Sequence, residues 1–474
     1  MGIQKEHHQN LAQITHEYSL DFFNSHLSNI IKESLITQNM WQCRCGTVLA
    51  PTFVIWFVIL STIRRDLSYP SVVNWMISGI RWLSCKLPKK VIADGTMTHA
   101  RVRIGLTVFQ VIFQKITDNF KTLQPDFNGW ITVIFDGTTG TMPDTKSNFE
   151  KFGKSKSGRG ESAYPRLRML TLLAVSARLI LDIAYGPSSG KGSGEGSLIT
   201  KILTKIDRNN LLFLLDAGLY SFLNIWTIKS KKCDFLIKVG QNVKLPVMSN
   251  GRLEDGSYLT QINGKILDAQ KSKDSHKKWK KETLIVRVIE YRIPGFRKCR
   301  LITSIVTPEI SAKQLVIHYH KRWDVEISFD EIKNHQCATL KGQMPTIFRS
   351  KKAELVEQEL YGMLIAYNLL RDLMYQAANK YDKDPLLLSF LESLQLVVDA
   401  IRFISFSSRK LQEVQSEYLL LLISESDIDR PRRNRVNPRV VKIKMSKFKR
   451  KNSSHKSEIR DFKKDLEIVV PEAA

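Results

Sequence analysis

No long uninterrupted apolar run is present in these 474 residues. The nearest candidate, "VLAPTFVIWFVILSTI" from Val48 to Ile63, is shorter than the roughly 18 to 20 apolar residues a membrane span needs. It is also interrupted by Pro51, Thr52 and Ser61 and reads as a buried core helix. Residues 1 to 18 are mostly polar, so neither a signal peptide nor a membrane partner is expected. Cysteine is sparse: of Cys43, Cys45, Cys85, Cys233, Cys299 and Cys337, only the first two are close. That excludes a paired-CxxC zinc site and a dense disulfide framework, and implies reduced thiols in a cytosolic protein. The histidines do not cluster at metal spacing, no internal repeat is visible, and "GPSSGKGSGEGS" (Gly186 to Ser197) lacks the Walker spacing, leaving a flexible loop. Acidic charge is also short, with 46 Asp+Glu against 72 Lys+Arg, a net charge of +26 and a pI near 9.7. Such an excess calls for a polyanionic partner, and nucleic acid is the first candidate.

What is present divides along the chain. With 43% hydrophobic residues the protein is globular and long enough for two or three domains. Residues 1–120 are expected to form a helical DNA-binding domain, seen in the apolar spacing of Ser71 to Leu83 and Ala100 to Ile116 and in Lys89, Lys90, Arg101 and Arg103. From 125 to 380, strands run in series and then alternate with helices, which predicts a mixed α/β sheet. Turn signals between short β-prone runs mark a β-rich insertion at about 241–308. A helix is expected from Ser311 to His335 and another from Lys351 to Lys380. Residues 381–474 form a C-terminal helical segment and a basic tail. Between Arg430 and Lys464 about fifteen basic residues face two acidic ones, a strap suited to phosphates.

Two aspartates close apolar strands: Asp136 ends "ITVIFD" before "GTTG", and Asp216 ends "LLFLLD" before "AGLYS". Ligands gather at such strand ends, and a charge there must face water, a metal or a partner. The segment "YHKRWDVEISFDEIK" then places Tyr319, Arg322, Glu326 and Lys333 at relative positions 0, 3, 7 and 14. At about 100° per residue these lie near 0°, −60°, −20° and −40° on one helix face. Trp323 falls about 40° round on the other side, as a core residue behind the stripe. Three carboxylates, Asp136, Asp216 and Glu326, repel one another unless cations hold them, and hard oxygen donors select Mg²⁺ or Mn²⁺. Two such ions about 3.5 to 4 Å apart support in-line displacement at phosphorus. Tyr319, Arg322 and Lys333 are suited to gripping the flanking phosphates.

Y-x2-R-x3-E-x6-K, matched by Tyr319, Arg322, Glu326 and Lys333, resembles the signature of the bacterial insertion-sequence DDE transposases of the family named for insertion element four. "DGTTGTMPDTKSN" and "LLDAGLYS" are similar to its two aspartate blocks. "RSKKAELVEQELYGMLIAYNLLR" resembles the helix after the signature, and "NPRVVK" the tail. The resemblance, from about Ile30 to Lys451, implies a ribonuclease H-like core with the insertion between the second Asp and the Glu. It implies cut-and-paste movement: hydrolysis at the terminal inverted repeats, a hairpin, then strand transfer to target DNA. It implies Asp136, Asp216 and Glu326 as metal ligands, with Tyr319, Arg322 and Lys333 on DNA. It also implies two Mg²⁺ ions that Mn²⁺ can replace, a homodimer on double-stranded DNA, and a bacterial, nucleoid-associated, cytoplasmic location. Some relatives stack an insertion aromatic on a flipped base; Trp279, Tyr291 and Phe296 lie there without a matching motif. A DNA-binding relic without chemistry, and a metal-dependent nuclease without strand transfer, remain open alternatives at this stage.

Overall fold

The computed structural model describes residues 2–23, 27–41, 47–79, 91–93, 95–120, 123–157, 160–190, 193–267, 279–337, 346–404, 407–428, 435–436 and 460–470. Lys89, Lys90, the first three cysteines and most of the basic tail lie outside the described residues. Among the described residues six helices come first: α1 Gly2–Glu17, α2 Leu27–Thr37, α3 Pro51–Ile63, α4 Tyr69–Met76, α5 Thr96–Ile104 and α6 Thr107–Asn119. There follow β1 Ile131–Thr141, α7 Lys146–Phe152, β2 Arg166–Ala174, β3 Leu179–Pro187, α8 Glu195–Leu203, β4 Leu211–Leu215, α9 Phe222–Ser230 and β5 Asp234–Val239. Next come β6 Tyr258–Leu267, β7 Trp279–Arg292, β8 Cys299–Thr303, α10 Ala312–Tyr319, α11 Asp324–Asp330, α12 Ala353–Lys380, α13 Phe390–Ile404, α14 Arg409–Ser424 and β9 Glu467–Ile468.

The chain packs into two units, one of Met1–Gln124, Gly137–Gly194 and Val325–Asp429, the other of Pro125–Asp136, Glu195–Asp324 and Arg430–Ala474. The first is organised around α12, which is buried along most of its length, Glu357, Gln358, Glu359, Asn368 and Arg371 among its buried residues. Against it lies α3, the apolar run noted in the sequence, with twelve of its thirteen residues buried. Gly362 permits the approach, since a Cβ there would stand 2.9 Å from Val58 Cγ1. Among the described residues no helix is long and apolar enough to cross a membrane. Arginines finish the interface: Arg101 donates to the Leu355 carbonyl at 2.8 Å and to the Tyr69 hydroxyl at 2.6 Å. Arg349 donates to the Leu67 and Ser61 carbonyls at 2.8 and 3.0 Å, so the buried guanidiniums are hydrogen-bonded.

In the second unit β1 pairs parallel with β4, and β4 parallel with β5 through a crossover containing α9. β4 is apolar and buried at all five positions, as a strand covered on both faces must be. Antiparallel pairs then add β8 to β5, β7 to β8, and β9 to β7. The full strand order is β9-β7-β8-β5-β4-β1-β2-β3, with β6 on β7. Within it the run β3-β2-β1-β4-β5 has the three-two-one-four-five order of the ribonuclease H-like mixed sheet expected from the sequence. The β-rich stretch at 241–308 supplies β6, β7 and β8, and two of these extend the same sheet edge.

Candidate active site

β1 and β4 are in parallel register, with Ile134 opposite Leu214, so Asp136 and Asp216 each follow two residues after a matched pair. Neighbouring strands lie about 4.8 Å apart, which makes these aspartates neighbours. Asp216 directly follows β4, whereas Asp136 lies within β1, which runs on to Thr141 instead of turning at GTTG as the sequence suggested, because this segment stays in extended backbone. Asp136 is half-buried and Asp216 exposed, leading into a one-turn 3-10 helix, Ala217–Leu219. The Asp216 carboxylate has neither a hydrogen bond nor an ion pair among the described residues.

The continuous helix expected from Ser311 to His335 is instead four segments. A capping box at Ser311 and Gln314 starts α10, a 3-10 turn spans His320–Trp323, α11 follows, and Glu331–Gln336 is a π-helical turn. The tight turn advances each residue by more than 100° and the wide turn by less, so the single-face wheel does not apply across them. Each segment instead aims its own side chain.

In the second unit, Tyr319 ends α10, is 6% exposed, and donates its hydroxyl to the Leu215 carbonyl at 2.9 Å, one residue before Asp216. Burial raises its pKa above the usual phenol range and the Asp216 charge adds to this, while Arg322 opposes it. The phenol therefore stays protonated, as a donor. Arg322 is buried with its guanidinium 4.6 Å from the Trp323 ring centre. Trp323 itself corrects the sequence expectation: at 37% exposure it is a surface residue, because the 3-10 turn swings it out of the core. Of the insertion aromatics, Tyr291 is buried and Trp279 is 55% exposed.

In the first unit, Glu326 on α11 is exposed and has no hydrogen-bond or ion-pair partner among the described residues. Lys333, in the π turn, donates to Thr138 Oγ1, two residues after Asp136 in the chain, and sits 5.9 Å from the Phe329 ring centre. Glu331 opens this turn, and sequence reasoning missed it. It is 4% exposed, bonded by Arg371, by Arg178 at 3.3 Å and by the Tyr367 hydroxyl at 3.0 Å. A hint was available in Arg371, which follows the mostly apolar run of residues 360–370 in α12. Also missed was His318, hydrogen-bonded to Thr132 Oγ1 at 2.7 Å and stacked on Phe127; burial, with Lys321 nearby, lowers its pKa to about 3.

Asp216 and Glu326 are exposed carboxylates with no hydrogen-bond or ion-pair partner among the described residues, and Asp136 stands beside Asp216; carboxylate oxygens are hard donors that suit a divalent cation rather than a soft metal. Among the described residues no three His, Cys, Asp or Glu side chains are gathered as placed, and Glu326 belongs to the other unit. The thiols of Cys233, Cys299 and Cys337 are free, and burial raises the pKa of the first and last.

The family model described as "Transposase DDE domain" matches residues 131–369, half of the chain. "Transposase InsG for insertion sequence element IS4" of Escherichia coli (strain K12) is 26% identical over 408 residues, covering 83% of this chain and 86% of the relative. The solved structure titled "Cryo-EM structure of piggyBac transposase synaptic complex with hairpin DNA (SNHP)" aligns with a TM-score of 0.43 at 11% identity, covering 87% of this chain and 85% of that one.

Proposed function

The chain belongs to the transposase DDE domain family, and from that membership we propose that it is a DNA transposase moving an insertion sequence by a cut-and-paste route. The observation that carries the reading is the parallel register that sets Asp136, within β1, beside Asp216, which follows the end of β4. With Glu326 these form the acidic triad. Held by these carboxylates, divalent ions, Mg²⁺ or Mn²⁺, would supply Lewis-acid polarisation of the scissile phosphate and acidify the attacking hydroxyl.

The chain's own residues do the positioning. Arg322, presented from the 3-10 turn, offers a fork of donors to one phosphate, and Lys333 offers a point charge to another, exchanging Thr138 for phosphate oxygen. Tyr319 ties the end of α10 to the backbone beside Asp216 and would donate its hydroxyl to a phosphate by exchanging the Leu215 carbonyl for a phosphate oxygen. In the reaction, water cleaves the 3′ phosphodiester at each element end; the freed 3′-hydroxyl attacks the opposite strand, and the reopened end joins target DNA. Residues 1–120 serve as the DNA-binding domain, 125–380 as the catalytic domain, and 381–474 as the C-terminal helical and basic region. Two copies act together on paired double-stranded ends, in the bacterial cytoplasm at the nucleoid.

The test is a duplex carrying the element's terminal inverted repeat, incubated with the full chain with and without Mg²⁺. Nicks and hairpins at the repeat boundary that need the metal support the proposal. Binding that never leads to cleavage, under Mg²⁺ or Mn²⁺, opposes it.

A further inference from the structure

Residues 460–470, near the end of the chain, belong to the second unit. Asp461 organises them locally. Its carboxylate accepts from the Lys463 and Lys464 amides at 3.0 and 3.1 Å, and its own amide donates to Asp465 Oδ2 at 2.9 Å, closing a turn. From this charged stretch, "DFKKDLE", Phe462 and Leu466 are sunk to 5% exposure each. β9 follows and takes up the edge of β7 at Tyr291 and Arg292, just past Val288 where the pairing with β6 stops. The Val469 amide donates to the Glu290 carbonyl at 2.8 Å, and Arg292 Nε donates to the Glu467 carboxylate at 2.7 Å. Gly256 leaves room for the segment, since a Cβ there would stand 3.2 Å from both Ile468 Cγ2 and Val470 Cγ2.

This docking places Phe462 on the signature segment. Its ring stacks on His320 with centroids 4.0 Å apart and planes at 18°. His320 opens the 3-10 turn His320–Trp323, which carries Arg322. Three successive residues are thus fastened by three different parts of the unit. Tyr319 is held by the Leu215 carbonyl at 2.9 Å, His320 by Phe462, and Lys321 by Asp126 at 3.6 Å. A 3-10 turn has weaker internal hydrogen bonds than an α-helix, so such outside tethers decide where it lies.

We propose that Phe462, acting through His320, is a positioning residue for Arg322, so that the docked C-terminal segment sets the guanidinium against its phosphate. The assignment rests on the transposase reading. A flat ring stack suits this task, because it resists both tilting and withdrawal of the turn while leaving the Arg322 donors uncommitted to it. Phosphate grip by a planar fork depends on such alignment, and a misplacement of about 1 Å costs roughly 100-fold in rate.

The test is single-turnover cleavage of a labelled terminal-repeat duplex by the full chain in Mg²⁺, with duplex affinity and melting temperature measured on the same preparations. The variants are Phe462→Leu, which keeps an apolar side chain in the buried seat but removes the ring, Phe462→Tyr, Arg322→Lys, and Phe462→Leu with Arg322→Lys. At saturating protein, Phe462→Leu is expected to cleave about 10- to 100-fold more slowly with its duplex affinity kept, and Phe462→Tyr to recover the rate. Alignment of the guanidinium counts only while the guanidinium is there, so the double variant should be no slower than Arg322→Lys alone. If wild type cleaves and Phe462→Leu matches it, the positioning role falls and the transposase reading stands. Losses that multiply in the double variant also overturn the role, leaving Phe462 a residue of stability only. Wild type that binds the duplex and never cleaves it, under Mg²⁺ or Mn²⁺, defeats both.

Discussion

Removing the Glu331 carboxylate strands Arg178 and Arg371 in the interior, because this one acid answers two buried guanidiniums. Glu331→Leu is expected to lower the unfolding free energy by about 3 to 5 kcal/mol, measured by denaturant titration; a loss below about 1 kcal/mol would contradict the network's role. His318 supplies a pH signature. Its folded pKa of about 3 lies below the unfolded value of about 6.5, so the unfolded chain binds a proton first as pH falls. Its contribution is whole above pH 6.5 and is lost toward pH 3, at a slope of at most about 1.4 kcal/mol per pH unit. The denaturation midpoint at pH 5 relative to pH 7 should drop less in His318→Phe than in wild type; equal drops would show that His318 is not held neutral. At this scale Asp136 and Asp216 were legible, because a charge ending an apolar run stands out in one dimension. Glu331 and His318 were not, because their burial depends on Arg178, 153 residues away, and Thr132, 186 residues away.

Elements were legible where one periodicity ran unbroken. The apolar repeat gave α12 nearly to its ends, Ala353–Lys380 against an expected Lys351 to Lys380, and the buried strands β1 to β5 follow their apolar runs. The signature segment was not legible as an element, since tertiary packing inserts a 3-10 turn and a π turn that no propensity marks. Trp323 was misplaced for that reason. The α3–α12 contact gives the test at this scale: Gly362→Val forces a branched side chain onto Val58 and should cost about 1 to 3 kcal/mol. A companion Val58→Ala should recover part of it. An unaltered melting temperature in Gly362→Val would show that the helices are not in close contact there.

For the whole molecule, the charge of +26 makes DNA affinity a counterion-release problem. Engaging roughly 6 to 10 phosphates predicts a fall in affinity of about 10³ to 10⁵-fold between 50 and 200 mM salt. Truncation after Asp429 removes the basic run and should flatten that slope; an unchanged slope would make the tail a bystander. Composition made the partner class legible, and the strand order bears out the fold class. The most direct measurement is cleavage of a labelled terminal-repeat duplex in Mg²⁺, resolved on a denaturing gel for wild type, Asp216→Asn and Glu326→Ala, with binding followed in parallel. Wild type should yield metal-dependent end cleavage and hairpins, and both variants should bind DNA while cleaving at least about 10³-fold more slowly. Undiminished cleavage in either variant would contradict the assignment of the acidic site.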